Sequence, residues 1–432
     1  MTCFKKSVFG SCVMLIAFTC WINAKSIEAF GTFGFDIHHR YSDTVKEFLN
    51  LDGLPEKGTV DYYTAMAHRD QLLKGRRLAT STTPTVTFYG GNQTYNVRAL
   101  SYLHYSLITV GTPALLFLVA LDTGGDLFWL PCDCITCARN FNISDGKKLE
   151  LNIYSPRNST TSSPLPCNST LCGPTRACLT RSNTCAYQEL YGASSSTGIL
   201  VDDVLHLGTN TNPQDIVDVS VTFGCGMNQT GYFLESGGGI NGIFGLGMGG
   251  ISVPSILASK SVTANSFSMC FAAEGSSGRI EFGDKGSADQ KTTPFNLQKS
   301  NPTYNITVTQ VVVGNNVTDL EFTAVFDSGS AFTRLNEPAY SFIANKFEFA
   351  TQDGYTTPNL TFTMKGESQF YVTTPTFNFI RADGGQGYCL AIVKSEGINI
   401  IGQNFMTGYR LVFDRDEMVL GWKESDCELV SS

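Results

Sequence analysis

Val119-Ala120-Leu121-Asp122-Thr123-Gly124-Gly125 and Ala324-Val325-Phe326-Asp327-Ser328-Gly329-Ser330 are one pattern occurring twice. Each is an apolar strand running into Asp, a small hydroxyl residue and Gly. Each is answered downstream by an apolar pair closing on Gly, at Ile243-Phe244-Gly245 and Ile400-Ile401-Gly402. An Asp-Thr/Ser-Gly triplet arises by chance roughly 0.2 times in a chain of this length. Polar turns at strand ends also use Asp and Gly, but they do not explain why the context repeats. Two half-sites, each supplying one carboxylate, are what a hydrolase needs to work with paired aspartates and a water.

The chain has 432 residues, enough for two to three domains, with 12% aromatic and only 16% charged residues. That composition builds a large core. The net charge is -8 and there is no long basic run, so nucleic acid is not an expected partner. Residues 1–24 read as a secretory signal: Lys5 and Lys6, an apolar run from Val8 to Ile22, then Ala24. The run is too short for a membrane span and the C-terminus is polar, so no membrane anchor is expected.

Of 14 cysteines, three leave with the signal, and seven of the remaining eleven lie between Cys132 and Cys185. In a secreted chain such density means disulfides. Cys132-x-Cys134-x-x-Cys137 is also zinc-knuckle spacing, but the oxidising compartment favours disulfides. Eight Asn-x-Ser/Thr sequons (Asn92, Asn142, Asn158, Asn168, Asn228, Asn305, Asn316, Asn359) point the same way.

From Phe35 to Ala79 the chain is charged and helix-prone, holds His38, His39 and His68, and ends at Lys74-Gly75-Arg76-Arg77. A Thr-rich stretch follows. We read residues 25–97 as a prosegment and linker, with an ordinary helical N-terminal domain as the alternative. Beyond residue 98, short alternating strands are separated by Gly, Asn and Ser. The clearest helix candidate is Pro338 to Phe347. The expected fold is all-β and bilobal, with an N-terminal lobe over 98–276 and a C-terminal lobe over 277–432. Gly245-Leu246-Gly247-Met248-Gly249-Gly250 has dinucleotide-binding spacing. That spacing matters only in a strand-turn-helix unit of an alternating α/β chain, and Pro254 and the β texture argue for a plain turn.

Two like charges at hydrogen-bond distance do not both ionise. One carboxyl of such a pair keeps its proton and polarises a carbonyl, while the other draws a proton from water; the titration belongs to the pair. Catalysis at acidic pH follows. Other catalytic classes are poorly supplied: past the leader only His104 and His206 remain, both in alternating strands, with neither a nucleophile motif nor a His pair at zinc spacing nearby. No metal and no organic cofactor is implied.

These motifs, with Leu121 to Cys134, Phe326 to Thr333 and Asn399-Ile400-Ile401-Gly402-Gln403-Asn404-Phe405, resemble those of pepsin-like aspartic proteases, in particular the plant nepenthesin- and nucellin-like branch. The leader runs Phe35-Asp36-Ile37-His38-His39-Arg40 and Ala67-His68-Arg69-Asp70 are similar to that branch's prosegment. The resemblance implies a bilobal fold with an active-site cleft between the lobes, Asp122 and Asp327 as the catalytic pair, and support from Thr123, Gly124, Ser328, Gly329 and Ser330. Thr123 and Ser328 would hydrogen-bond across the lobe interface. Tyr191 falls where the mobile flap carries its tyrosine, and Trp129, seven residues after Asp122, would be its partner. The alternative for both is a plain core aromatic.

Three departures from the pattern stand out. Gly125 replaces the Ser or Thr that would donate to Asp122, whereas Ser330 keeps its counterpart. Ala193-Ser194 occupies the flap where relatives carry more glycine or longer polar residues. The segment between Ala350 and Pro358 is short and lacks a cysteine, which leaves five bridges and a free Cys389 by the resemblance. The implied product is a secreted, glycosylated, monomeric aspartic endopeptidase, extracellular or vacuolar, acting on peptide or protein substrates. The rival is a catalytically impaired form of the same fold, serving as a secreted binding or inhibitor protein.

Overall fold

The computed structural model describes residues 32–39, 42–49, 104–142, 148–174, 176–209, 216–234, 241–271, 278–296, 302–350, 357–380 and 386–427. The signal, the dibasic pair, His68 and the Thr-rich stretch lie outside the described residues.

The duplicated signature is a duplicated piece of structure. Leu115–Asp122 runs parallel to Ile243–Gly245, with Gly245 opposite Asp122. Phe322–Asp327 runs parallel to Asn399–Gly402, with Gly402 opposite Asp327. In each half the glycine-ending strand also meets a third strand antiparallel, at Ile243 opposite Trp129 and at Arg334 opposite Ile400. The glycines are required by close approach. A Cβ on Gly245 would stand 2.4 Å from the Asp126 carbonyl carbon, and one on Gly402 2.4 Å from that of Phe332.

The first half-site belongs to a 15-stranded sheet and the second to an 8-stranded sheet. The larger sheet runs past the N-terminal half through Ser266–Phe271 and Gly278–Phe282 to the C-terminal strands Tyr409–Asp414 and Val419–Glu424, binding the chain's two ends together. Phe267 stacks on Phe413 with centroids 4.7 Å apart, and Tyr304 meets Phe413 edge-on at 4.6 Å. Because both faces of the signature strands are covered, Val119 to Asp122 and Ala324 to Asp327 are buried without alternation.

The leader departs from the helical expectation. Phe33–His39 is a strand inside the large sheet, between Gly278–Phe282 and His104–Val110. Its alternation of apolar and polar residues has the period of a strand: Phe35 and Ile37 are buried, and Phe35 packs edge-on to Phe244 and Phe282. Helix begins only at Asp43–Leu49, where Ser42 Oγ accepts from Val45 N at 3.3 Å as an N-cap. The helix expected near Pro338 to Phe347 is Ala339–Ala350.

Five disulfides pair Cys132 with Cys225, Cys134 with Cys137, Cys167 with Cys178, Cys172 with Cys185, and Cys270 with Cys427. The last ties the strand Ser266–Phe271 to the C-terminal segment. Cys389 is free, in the hairpin strand Gln386–Leu390, and burial pushes its thiol up to about 11. Thiol titration of the unfolded mature protein without reductant is therefore expected to find one reactive cysteine, at 389. Reaction in the folded state should be slow at pH 8, since the thiolate is the nucleophile. A second reactive thiol, or none, contradicts this pairing.

Candidate active site

Asp122 and Asp327 each end a buried strand, and the residues following them cross between the halves. Thr123 N donates to Ser328 Oγ (3.1 Å), and Ser328 N donates to Thr123 Oγ1 (2.8 Å). Thr123 Oγ1 also donates to the Phe326 carbonyl at 3.1 Å, and Ser328 Oγ to that of Leu121 at 3.3 Å. Four reciprocal bonds thus lock the two loops together, with Asp122 and Asp327 immediately before the crossed residues. Both carboxylates are almost inaccessible, at 0% and 5% exposure.

Each carboxylate is oriented by its own loop. Gly124 N donates to Asp122 Oδ1 at 3.0 Å, and Gly329 N to Asp327 Oδ1 at 2.8 Å. The symmetry stops at the next position: Ser330 Oγ donates to Asp327 Oδ2 at 3.0 Å, whereas residue 125 carries no hydroxyl. A Cβ at Gly125 would lie 2.8 Å from Asp122 Oδ2, so that oxygen already occupies the space a side chain would need.

Tyr191 and Trp129, the two aromatics expected at the flap, also come together. Tyr191 closes the strand Thr184–Tyr191 and pairs with Ser194 across a two-residue turn. Gly192, at φ 63°, takes the first central position that such hairpins give to glycine. Trp129 Nε1 donates to Tyr191 Oη at 3.0 Å. Sequence reading missed Phe233, whose ring lies 5.3 Å from both Trp129 and Tyr191. Its segment, the short helix Gly231–Leu234, has no periodicity to reveal it. Ser194 Oγ accepts from Tyr232 N at 2.9 Å, tethering this hairpin to that segment. Val45 of the leader helix is fully buried in the same apolar cluster as Trp129, Tyr191 and Phe233.

Asp126 explains the glycine-rich run. The segment after Gly245 does turn into a helix, Val253–Ser259, with Pro254 in its first turn, where a missing N–H costs nothing. Pro254 therefore does not argue against a helix. The loop is nonetheless filled by the chain itself: Gly249 N donates to Asp126 Oδ1 at 2.8 Å. Neither remaining histidine is placed for catalysis. His104 is buried. His206 bonds Asp218 (2.6 Å) and the Gly111 carbonyl (2.9 Å). Burial lowers the His206 pKa, but these acceptors outweigh it and raise the net value.

Fold and loops together define a two-lobed, all-β protein with one carboxylate loop from each half. Family models described as "Xylanase inhibitor N-terminal" and "Xylanase inhibitor C-terminal" match residues 104–284 and 345–424. "Aspartyl protease family protein 1" of Arabidopsis thaliana is 49% identical over 440 residues, covering 96% of this chain and 85% of the relative. "Aspartic proteinase-like protein 1" of the same plant is 36% identical, covering 90% and 80%. Among solved structures, basic 7S globulin from soybean superposes with a TM-score of 0.59 at 18% identity, over 76% of this chain and 95% of that one, which shows a shared fold. The chain belongs to the pepsin-like aspartic protease family.

Proposed function

We propose that the chain is the precursor of a secreted aspartic endopeptidase that hydrolyses peptide bonds at acidic pH with Asp122 and Asp327. The observation that carries this reading is the pair of carboxylate loops held against each other by the reciprocal Thr123 and Ser328 bonds. An extended substrate peptide lies in the cleft between the lobes, held by main-chain hydrogen bonds and alternating side-chain pockets. The protonated member of the pair donates to the scissile carbonyl oxygen. The ionised member takes a proton from water, whose oxygen attacks the carbonyl carbon. The tetrahedral intermediate collapses as the leaving nitrogen gains a proton, and the C–N bond breaks. Tyr191 closes over the substrate, with Trp129 and Phe233 behind it.

The leader is the prosegment, with cleavage at Arg76-Arg77. The exposed Asn158, Asn168, Asn316 and Asn359 are available for glycosylation, in keeping with secretion. Cleavage of a denatured protein by the processed chain, followed from pH 2.5 to 7, tests the reading. An acid optimum supports it, and no cleavage by folded, processed protein rejects it.

The second reading, a binding or inhibitor protein on this fold, is favoured by Gly125 and by the description of the matching family models. Two substitutions weigh it. Gly125→Ala adds only a Cβ, displaces Asp122 Oδ2 and is expected to lower kcat about tenfold, because small misplacements of reacting groups are costly. Gly125→Ser also adds a donor. A hydrogen bond to a charged group stabilises it by about 1.5 kcal/mol or more, so the acid limb of the pH–rate profile should move down by about one unit. If neither wild type nor Gly125→Ser cleaves at any pH, the binding reading stands.

A further inference from the structure

Tyr304 joins the two half-sites by a route separate from the crossed Thr123 and Ser328 bonds. It stands at the head of the strand Asn305–Val313, and its carbonyl accepts from Phe326 N, one residue before Asp327, at 3.0 Å. Its side chain leaves that half: Tyr304 Oη donates to the Leu246 carbonyl at 2.7 Å. Leu246 follows Gly245, the residue opposite Asp122, and Leu246 N donates to the Asp122 carbonyl at 2.9 Å. A run of hydrogen bonds thus leads from the residue before Asp327 to the backbone of Asp122. Tyr304 and Leu246 are both fully buried. The phenol ring is held by Phe413 (centroids 4.6 Å), Phe295 (5.4 Å) and Phe267 (6.0 Å), so packing aims its hydroxyl. The other half has no such tyrosine. Asn305 pairs with Val325 and Tyr105 with Ala120, each two residues before its aspartate, so His104 holds the position equivalent to Tyr304. His104 packs edge-on to Phe271 at 4.8 Å, and its Nδ1 has no hydrogen-bond partner among the described residues. The half-site that receives the tyrosine is the one with Gly125 where the other has Ser330.

We propose that Tyr304 is a positioning residue for the reaction: its hydroxyl, bonded to the Leu246 carbonyl, fixes the Asp122 loop at a set distance from the strand that carries Asp327. The inference rests on the protease reading and names a residue that acts on the pair through the backbone. The crossed Thr123 and Ser328 bonds hold the two loops to each other directly. The tyrosine instead ties the strands that flank them: Leu246 follows the partner strand of Asp122, and Tyr304 begins a partner strand of Asp327. Two attachments fix an orientation that one alone leaves free to pivot. The hydroxyl keeps its proton, because burial raises its pKa, against Arg415 and with Asp126. Both charged groups are themselves engaged, Arg415 with the Met248 carbonyl and Ser255 Oγ, Asp126 with Gly249 N. Without the hydroxyl the Leu246 carbonyl loses this donor, and the Asp122 loop shifts by a fraction of an ångström. Misplaced reacting groups react more slowly. Carboxylates that stand further apart also couple more weakly, so the higher apparent pKa of the pair falls and the lower one rises.

The test is Tyr304→Phe in the processed chain, assayed beside wild type on a peptide substrate from pH 2.5 to 7. Phenylalanine keeps the ring contacts, and melting temperatures set an assay temperature at which every variant is folded. The kcat should fall about tenfold, with KM within about twofold of wild type. A peptide carrying a hydroxymethylene group in place of the scissile carbonyl should bind less tightly by about the factor lost in kcat/KM, while its methylene counterpart binds as before. The two limbs of the kcat profile should approach each other by about half a pH unit in total, which a smaller folded fraction would not cause. Phe295→Leu removes a ring contact but keeps the hydroxyl; it should lower the melting temperature and leave kcat and both limbs in place. para-Aminophenylalanine at position 304 returns an N–H donor to the same ring and should restore kcat to within about threefold. Unchanged kcat and limbs in Tyr304→Phe, a loss carried by KM, or an equal loss in Phe295→Leu overturns the proposal and leaves the protease reading intact. Folded, processed wild type that cleaves nothing at any pH removes both.

Discussion

Asp327→Asn is expected to abolish acid cleavage of a denatured protein, a loss of about 10³- to 10⁴-fold in kcat/KM. The carboxamide is isosteric: its oxygen keeps the bond from Gly329 N, and its nitrogen, placed where Oδ2 accepts from Ser330 Oγ, can donate to that hydroxyl instead. What disappears is the capacity to exchange a proton with water. Asp122→Asn should do the same, and the double variant should lose little more than either single one, because groups acting as a unit are not additive. The check is side-by-side kinetics on protein shown by circular dichroism to be folded. Retention of more than a tenth of wild-type activity in either variant excludes the paired-carboxylate mechanism.

Thr123→Val should cost both stability and activity. Valine has the same shape, but Thr123 Oγ1 accepts from Ser328 N and donates to the Phe326 carbonyl. Thr123 is 2% exposed, so both partners would be left in a site closed to water. Each unpaired buried group costs about 1–3 kcal/mol, and about 2–4 kcal/mol is expected together. The loops would lose their fixed spacing, and cleavage should fall about 100-fold with KM little changed. Ser328→Ala removes the reciprocal pair of bonds, and the two substitutions together should fall short of additivity. Thermal unfolding and pH–rate profiles check both effects. An unchanged melting temperature with full activity in Thr123→Val would mean the crossed bonds contribute nothing.

Much of the candidate site was legible because its constraints are local in sequence. An apolar strand ending in Asp, a hydroxyl and Gly specifies a buried carboxylate on a tight loop, and the later apolar-apolar-Gly runs mark the partner strands. Gly245 and Gly402 showed in the sequence because no other residue fits against Asp126 and Phe332. Phe233 was invisible. It reaches Trp129 and Tyr191 only through the third dimension, and an isolated aromatic in a short irregular segment carries no period.

The leader shows the same division from the other side. Its charge and its dibasic end stood out as composition, and they pointed to helix. Phe33–His39 is a strand because Gly278–Phe282 and His104–Val110 offer it paired edges on both sides, partners about 70 and 240 positions away that no local propensity encodes. By itself the sequence determined the two half-sites, the all-β texture and the cysteine-rich character, each a property of neighbouring residues. Only the tertiary structure decided the long-range disulfide pairings Cys132–Cys225 and Cys270–Cys427, the reciprocal lock between Thr123 and Ser328, and the packing of His39 against His104. These depend on distances between segments far apart in the chain, which exist only once the buried strands have found their register.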